Sequence, residues 1–156
     1  MYKRQADNSV WSITEDNRGN LWFGTSNGLN LIRQENTAKL LKMSGGQGVQ
    51  LFETYTVADG LSNDIVTQVA VDKKGNIILG TNEGFNIVRN NDELQVANRK
   101  PIFEIYSNKT GFPVKDINAG HGSLFIDSKS IIWAGTGDKL VRFDYRRIYK
   151  KSGMPT

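Results

Sequence analysis

Apolar and polar residues alternate along the first part of the chain, and short polar turns interrupt the alternation. Residues 10–15 read Val-Trp-Ser-Ile-Thr-Glu, a period-two pattern that is typical of a strand with two different faces. Asp16 can open a turn through its carboxylate, and Gly19 tolerates the positive φ of a tight hairpin. Residues 21–25 and 29–32 are again rich in aliphatic and aromatic side chains, which are typical of strands. The pattern predicts three antiparallel strands joined by tight turns.

The segment 16–25 occurs three times. It returns as 72–81 and, in a weaker form, as 127–136. The copies are spaced by about 55 residues, and a fixed period of this size indicates a stacked array or a propeller. Ser130 takes the place of the turn glycine in the third copy, so we expect a different turn type there.

A fourth strand is predicted between the copies. Residues 50–56 alternate before Asp59-Gly60, and residues 102–106 do so before Thr110-Gly111. Four antiparallel strands per unit are typical of a propeller blade, and complete propellers usually have four to eight blades. The sequence therefore predicts an all-β fold of about three four-stranded antiparallel blades, a partial propeller. In the third unit the fourth strand is not evident.

The domain boundaries follow from these units. We expect blades at about 9–56, 64–106 and 118–144 within a propeller region 9–145, preceded by an N-terminal boundary segment 1–8 and followed by a basic C-terminal tail 146–156. We interpret this tail as solvated, because no nucleic-acid motif or aromatic interleaving accompanies its charges. No nucleic-acid or membrane contact is predicted. The basic residues considered are Arg142, Arg146, Arg147, Lys150 and Lys151.

Composition narrows the function classes. The formal net charge is +4 and there is no cysteine, which excludes disulfides, thiolate metal sites and cysteine nucleophiles. No apolar run approaches the length of a transmembrane helix. Residues 1–5 do not read as a signal peptide, which predicts either a cytoplasmic chain or a piece of an exported protein.

Two motifs carry a resemblance to a known family. Residues 59–64 read Asp-Gly-Leu-Ser-Asn-Asp, and residues 19–29 read Gly-Asn-Leu-Trp-Phe-Gly-Thr-Ser-Asn-Gly-Leu. With a strand ending in Asp between such motifs, the pattern closely resembles the two-component regulator propeller repeat, over roughly residues 9–145. The resemblance implies the extracytoplasmic sensor region of a hybrid histidine kinase in Gram-negative bacteria. It implies a periplasmic location in a parent protein that detects a carbohydrate, with further blades completing the propeller.

The residues give little support to catalysis. His121 is the single histidine and lies between Gly120 and Gly122, so a local hydrogen-bonding role is favoured over a base or ligand. Glu15 and Asp16 are adjacent at a strand end and point to opposite faces. Residues 16–20 lack the bidentate glutamate of a calcium loop. We predict no catalytic residues, no metal site and no cofactor.

The tryptophans divide into two kinds. Trp22 and Trp133 occupy one repeat position, which Ile78 fills in the second copy. A position that accepts either residue is a packing position between blades. Trp11 aligns with Thr67 and is the better candidate for a ligand platform.

Topology indicates where a ligand would bind. In four-stranded blades, the loops from strand four to the next strand one share a face with the loops between strands two and three. We name this the polar-loop face. Its amide and carboxylate groups suit sugar hydroxyls, although ordinary polar loops would look the same. The candidate ligand-binding residues are Trp11, Asn63, Asp64, Asn82, Glu83, Lys115, Asp116, Asn118, His121 and Asp138.

Two other functions stay open. A propeller scaffold for protein–protein contacts would need no small-molecule site. An enzyme similar to the streptogramin lyases is disfavoured by the lone histidine. Three blades also leave apolar faces uncovered at both ends, and burying such surface drives association. We therefore expect the isolated chain to self-associate.

Overall fold

In the computed structural model, which describes residues 9–43, 51–97, 99–120 and 122–148, the strands form three antiparallel sheets that follow one another along the chain. Blade one contains β1 (Val10–Glu15), β2 (Leu21–Thr25), β3 (Gly28–Ile32) and β4 (Phe52–Tyr55), with helix α1 (Gln34–Lys42) before β4. Blade two contains β5 (Val66–Val71), β6 (Ile77–Thr81), β7 (Gly84–Val88) and β8 (Glu104–Tyr106). Blade three contains β9 (Leu124–Ile126), β10 (Ile132–Gly135) and β11 (Leu140–Phe143).

This architecture confirms the predicted class of fold. The first two sheets have four strands in sequential order, and the third has three within the described ranges. Short 3₁₀ turns occupy several connections. They are Val57–Asp59, Asp92–Gln95, Asn108–Thr110 and Tyr145–Arg147.

One aspartate holds the hairpin between the first and second strands of each blade. In blade one, Asp16 Oδ1 accepts the backbone N–H of Arg18 at 2.9 Å and that of Asn20 at 3.0 Å. Its Oδ2 accepts the side-chain amide of Asn20 and the indole N–H of Trp22, both at 2.9 Å. The aspartates of blades two and three repeat the two backbone bonds. The turn is therefore specified by residues within one hairpin.

The third turn has the same form as the other two, and the expectation of a different type is wrong. Ser130 has φ 60°, in the left-handed region that Gly19 (φ 81°) and Gly75 (φ 84°) occupy. Its N–H donates to the Asp127 carbonyl at 2.9 Å, the bond that Gly19 makes in its own turn. Left-handed backbone costs a non-glycine residue about 1–2 kcal/mol, and the Asp127 bonds hold Ser130 there.

The core lies between the blades. Trp22 is fully buried against blade two, which confirms the packing position. Trp133 is half-buried. One cluster of buried side chains joins blades one and two, and a second joins blades two and three. The first includes Trp22, Leu31, Val66, Val69 and Leu79, and the second includes Ile78, Phe85, Ile87, Ile117, Ile132 and Phe143.

The glycine of the repeat permits close approach between blades. A Cβ added at Gly24 would lie 2.7 Å from the carbonyl oxygen of Val66, in blade two. A Cβ at Gly80 would lie 2.7 Å from Cγ2 of Ile117, in the segment that leads into blade three and bridges to Thr136. The glycine of the Gly-Thr ending is thus explained by packing against the next blade, while the threonine hydroxyls bond the carbonyls of Gly28 and Gly84 within their own turns.

An ion pair repeats in the outer half of the first two blades. Arg33 contacts Glu53 at 2.7 Å, with both side chains almost fully buried, and Arg89 contacts Glu104 at 2.9 Å. The hydroxyl of Tyr55 donates to Glu53 at 3.0 Å. The hydrogen bond from Arg33 to Glu53 raises the pKa of Arg33. These residues tie the third strand to the fourth and are structural.

Candidate functional site

The loops predicted to share a face do lie together. The N–H of Gly28, at the turn between β2 and β3, donates to the carbonyl of Asp64 at 2.6 Å. The N–H of Asn82, at the turn between β6 and β7, donates to the carbonyl of Ile65 at 3.3 Å. Each of these turns is therefore bonded to the segment that links blades one and two. The polar-loop face is one continuous surface at this junction.

The first group of candidate residues lies at the junction of blades one and two. Asn63 Oδ1 accepts the N–H of Ile65 at 2.9 Å, and Asp64 Oδ1 accepts the N–H of Val57 at 2.8 Å. Both side chains thus shape the linking segment. Each retains one further polar atom, Nδ2 in Asn63 and Oδ2 in Asp64, that these bonds do not use.

Glu83 extends this group along the same face. Its carboxylate contacts Lys109 Nζ at 2.7 Å, and the lysine side chain is 70% exposed. Lys109 lies in the connection that leaves β8, so the pair bridges two loops of blade two. Neighbouring Asn82 belongs to the same turn. This part of the face offers a carboxylate, an ammonium and an amide.

The second group lies at the junction of blades two and three. Lys115 Nζ lies 3.8 Å from Asp138 Oδ2, and both side chains are more than half exposed. Asn118 Nδ2 donates to the carbonyl of Thr136 at 3.0 Å. The carboxylate of Asp116 lies over Gly137, where a Cβ would come within 3.1 Å of Oδ2.

Asp138 is the perturbed acid of this group. The hydroxyl of Thr136 donates to Asp138 Oδ1 at 2.9 Å. That bond, together with the nearby charges of Lys115 and Lys139, lowers the pKa of Asp138. Asp138 is therefore charged at neutral pH and accepts hydrogen bonds without donating them.

Sequence reasoning missed two polar residues beside these groups. Gln68 Nε2 donates to the carbonyls of Asn118 at 3.1 Å and Gly120 at 3.0 Å. Ser62 contacts Thr81 Oγ1 at 3.0 Å and accepts the Asn86 amide at 2.6 Å. Ser62 lies within the motif 59–64 and Gln68 lies four residues after it, but only the packing of one blade on the next shows their partners.

Trp11 lies at the margin of the polar-loop face. It is 46% exposed, and its Nε1 donates to Ser26 Oγ at 2.7 Å, in the turn between β2 and β3. This bond fixes one edge of the indole and leaves much of the ring accessible. His121 lies outside the described residues. Among the candidate ligand-binding residues that the structure describes, Trp11 is therefore the aromatic one.

A shallow groove of about 130 Å³ occurs on the opposite side of blade two. It lies by the connection between β7 and β8 and includes Arg89, Leu94, Ile102 and Glu104. The predicted residues do not line it. Arg89 and Glu104 form the structural ion pair described above, and Glu93 of the same groove contacts Arg99 at 3.2 Å, so the polar-loop face stays the candidate site.

Metal-binding clusters and membrane-spanning helices are both absent from the described ranges. No group of three or more His, Asp or Glu side chains there could hold a metal ion. No helix there is long and apolar enough to cross a membrane. The polar-loop face offers hydrogen-bond donors and acceptors beside the exposed indole of Trp11.

The three successive antiparallel sheets define a β-propeller fold. Comparisons with known proteins add to this assignment of the fold. The family described as two component regulator propeller matches residues 5–27. This match lies on the first copy of the repeat and confirms the resemblance noted from the motifs. No curated protein matches the chain.

Solved structures match over most of the chain. One is the extracellular domain of BT4673 from B. thetaiotaomicron, described as a hybrid two component system (TM-score 0.66, 22% identity, 90% of this chain and 17% of that one). Another is the extracellular domain of BT3049 from the same organism, described likewise (TM-score 0.64, 20% identity, 88% and 16%). A third is PorZ, a bacterial surface component of the type-IX secretion system of Porphyromonas gingivalis (TM-score 0.56, 16% identity, 86% and 17%). At these identities the likeness concerns the fold, and the chain spans about a sixth of each structure.

Proposed function

We propose that the chain forms three blades of an extracytoplasmic sensor propeller in a hybrid two-component signalling protein. The observation that carries the proposal is the Asp-turn repeat, which builds the same hairpin in each blade. The family match on the first copy and the likeness to extracellular domains of such systems support it. In this proposal the blades lie in the periplasm as part of the parent protein, which supplies the kinase, and they carry recognition without catalysis.

The proposed ligand is an oligosaccharide bound on the polar-loop face. A neutral sugar presents hydroxyls that both donate and accept, and sites for such ligands combine an apolar surface with a few placed polar groups. Lys115 and Asp138 supply an exposed charged donor and acceptor there, and Glu83 supplies a partly exposed carboxylate. The indole of Trp11 supplies a flat apolar surface that its bond to Ser26 holds in place.

Isothermal titration with a panel of oligosaccharides tests this proposal. It should be run on this chain and on the whole ectodomain that contains it. We expect Trp11→Ala to reduce sugar affinity, because it removes the apolar platform. Val96→Ala is the matched control, since Val96 is 48% exposed but follows β7 on the opposite side of blade two. Absence of binding to both proteins would refute sugar recognition by this region.

A second candidate function is a scaffold for protein contacts. It is favoured by the internal bonds of Asn63, Asp64 and Asn118, which use part of their hydrogen-bonding capacity within the loops. The likeness to PorZ, a surface component of a secretion system, is compatible with it. A photo-crosslinker placed at Lys115 in the whole protein would distinguish the two. Crosslinking to another domain or subunit favours the scaffold, and crosslinking to added sugar favours the sensor.

A further inference from the structure

The turns between the first and second strands carry a cation at one fixed position. Arg18, Lys74 and Lys129 each follow the aspartate of their turn by two residues. The backbone N–H of each donates to that aspartate, at 2.9, 2.9 and 2.8 Å. The same bond therefore sets the backbone at all three positions, while the three residues are exposed. We name the surface formed by these turns, residues 16–20, 72–76 and 127–131, the hairpin face.

The three turns lie side by side on the hairpin face. Asn90 joins the first two, since its Oδ1 lies 3.5 Å from Arg18 Nη2 and its Nδ2 donates to the carbonyl of Lys74 at 2.8 Å. Lys73 joins the second to the third, because its Nζ donates to the carbonyl of Ser128 at 3.0 Å. The cations of the three turns thus form one row across the blades.

The turn aspartates hold their carboxylates inward, away from this row. Asp16 and Asp72 are buried, and their Oδ2 atoms accept the indole N–H of Trp22 and the hydroxyl of Tyr145. In the third turn the carboxylate is partly exposed, and its oxygens accept two backbone N–H groups and an indole N–H. The cations of the hairpin face that form no ion pair with another described residue are Arg18, Lys73, Lys74 and Lys129.

The lysines of the polar-loop face differ in this respect. Lys109 contacts Glu83 at 2.7 Å, and Lys115 lies 3.8 Å from Asp138. These lysines therefore have an acid beside them, whereas the row on the hairpin face has none in ion-pair contact. Exposed charge of one sign attracts partners of the opposite sign.

Two further acids lie near the first turn. Glu15 ends β1 beside it, and Glu35 opens helix α1, which also carries Lys39 and Lys42. One acid against two lysines leaves the helix positive. The second turn holds two adjacent lysines and no acid besides its aspartate. The positive charge of the hairpin face is therefore greatest at blade two.

Further blades of a larger propeller would not cover the hairpin face. Blades are arranged around a central channel, so they meet through the broad sides of their sheets, while the turns lie at the two faces of the disc. Additional blades would therefore join the stack at its ends. The hairpin face stays open to another domain or subunit.

The apolar groups of the turns indicate what kind of partner fits. Ile131 is the only apolar side chain in the three turns, and it is buried. The indoles of Trp22 and Trp133 donate to their own aspartates. A sugar polymer would lack an aromatic platform here, and a membrane would lack an apolar anchor. Exposed ammonium and guanidinium groups beside the amide of Asn90 suit carboxylates, which accept charge-assisted hydrogen bonds.

We propose that the hairpin face binds a peptide segment rich in Asp and Glu, from another domain or subunit. An extended acidic chain that crosses the three turns meets the cations of each blade in succession. Complementary charge of this kind fixes the register of a partner and speeds its association. The contact is independent of sugar binding, because it uses the opposite side of the blades.

Fluorescence anisotropy with a labelled glutamate decamer tests the proposal. We expect the chain to bind it at low ionic strength and to release it as salt rises, because the charges are exposed. Arg18→Gln, Lys74→Gln and Lys129→Gln should each weaken binding about two- to fivefold, as for one exposed charge pair, and the triple variant roughly tenfold or more. Lys139→Gln is the matched control, since it removes an exposed lysine from the polar-loop face and should leave the affinity unchanged.

Competition separates the peptide from other polyanions. Unlabelled glutamate decamer, polygalacturonate and vesicles that contain phosphatidylglycerol are compared at an equal concentration of negative charge. We expect the peptide to displace the labelled decamer best. Better displacement by polygalacturonate or by vesicles would overturn the proposal in favour of a sugar polymer or a membrane. A labelled decamer that does not bind would also overturn it.

Two controls complete the experiment. Circular dichroism of every variant establishes that the blades are folded, which the substitutions should permit because the turns use only the backbone of these residues. A folded triple variant that keeps full affinity for the decamer would refute the role of the row. Titration of the triple variant with neutral oligosaccharides distinguishes this proposal from sugar recognition, because only peptide binding should be lost.

Discussion

Alanine at Gly24 is the sharpest single test of how the blades pack. The glycine lies in β2 with its α-carbon against the first strand of blade two. An added methyl group would lie 2.7 Å from the carbonyl oxygen of Val66 and 3.1 Å from side-chain methyls of Val66 and Val69. A backbone carbonyl cannot rotate away as a flexible side chain can. The two blades must therefore move apart at this point.

The size of the effect follows from two opposing contributions. Forcing an extra carbon into a packed interior costs typically about 1–3 kcal/mol. Replacing glycine restricts the unfolded chain and returns about 0.4–1 kcal/mol. We expect a net loss of about 1–2 kcal/mol in the free energy of unfolding. For a chain of this size, a loss of 1 kcal/mol lowers the melting temperature by roughly 2–4 °C.

Gly135→Ala is the matched control because Gly135 occupies the same repeat position on the side of blade three that points away from blade two. Its new methyl group would meet only the side-chain nitrogen of Asn118 at 3.3 Å, which can shift. Urea denaturation of dilute protein, below the concentration of association, should show a lower midpoint for Gly24→Ala and an unchanged or higher one for Gly135→Ala. Equal midpoints for the two variants would refute the close-approach explanation of the repeat glycine.

Two further predictions concern the aspartate turns. Tyr145→Phe removes the hydroxyl that donates to buried Asp72, and we expect it to lower the free energy of unfolding by about 1.5–3 kcal/mol, as for hydrogen bonds to charged groups; an unchanged urea midpoint would contradict this. The indole of Trp133 donates to Asp127 and is the main cause of the lowered pKa of that carboxylate. A pKa lowered by folding stabilises the protein above the unfolded value, and this stabilisation is lost as the pH falls through the folded value. Trp133→Phe should therefore raise the pKa of Asp127 in a carboxyl-carbon NMR titration, and an identical titration curve would show that the indole has no such role.

The features that the sequence predicted well are local ones. The aspartate and the turn glycine act within one hairpin, so their spacing alone indicated strands, turns and blades. The turn at Ser130 shows the limit of this local pattern. Loss of the glycine predicts a different turn, whereas the Asp127 carboxylate, with bonds to two backbone N–H groups, holds the same conformation without it.

The polar-loop face was only partly predictable. Topology correctly brought the loops after the second and fourth strands together. The sequence could not show that Asn63 and Asp64 cap their own segment, or that Gln68 bonds the chain some fifty positions further on. Polar loop residues serve structure and recognition with the same atoms, and only their partners separate the two uses.

In blades one and two, an asparagine four residues after the turn aspartate bonds the chain just beyond the third strand. Asn20 Oδ1 accepts the N–H of Gln34 at 3.0 Å, just after β3, and Asn76 Oδ1 accepts that of Asn90 at 2.9 Å, just after β7. Each bond fixes the direction in which the chain leaves the third strand. Blade three has Ile131 at this position, and isoleucine offers no such acceptor.

The chain just after β11 returns to blade two, where Tyr145 contacts the turn aspartate Asp72. There Ile78 replaces the tryptophan of the other blades, so Asp72 lacks the indole donor that Asp16 receives from Trp22. Tyr145, just after β11, places its hydroxyl on Asp72 instead. Burial and the hydrogen bond to Asp72 raise the pKa of Tyr145, so it remains a donor at neutral pH. At the junction of blades two and three, the Tyr145 hydroxyl thus supplies Asp72 with the side-chain donor that a tryptophan of the same hairpin supplies to Asp16 and Asp127.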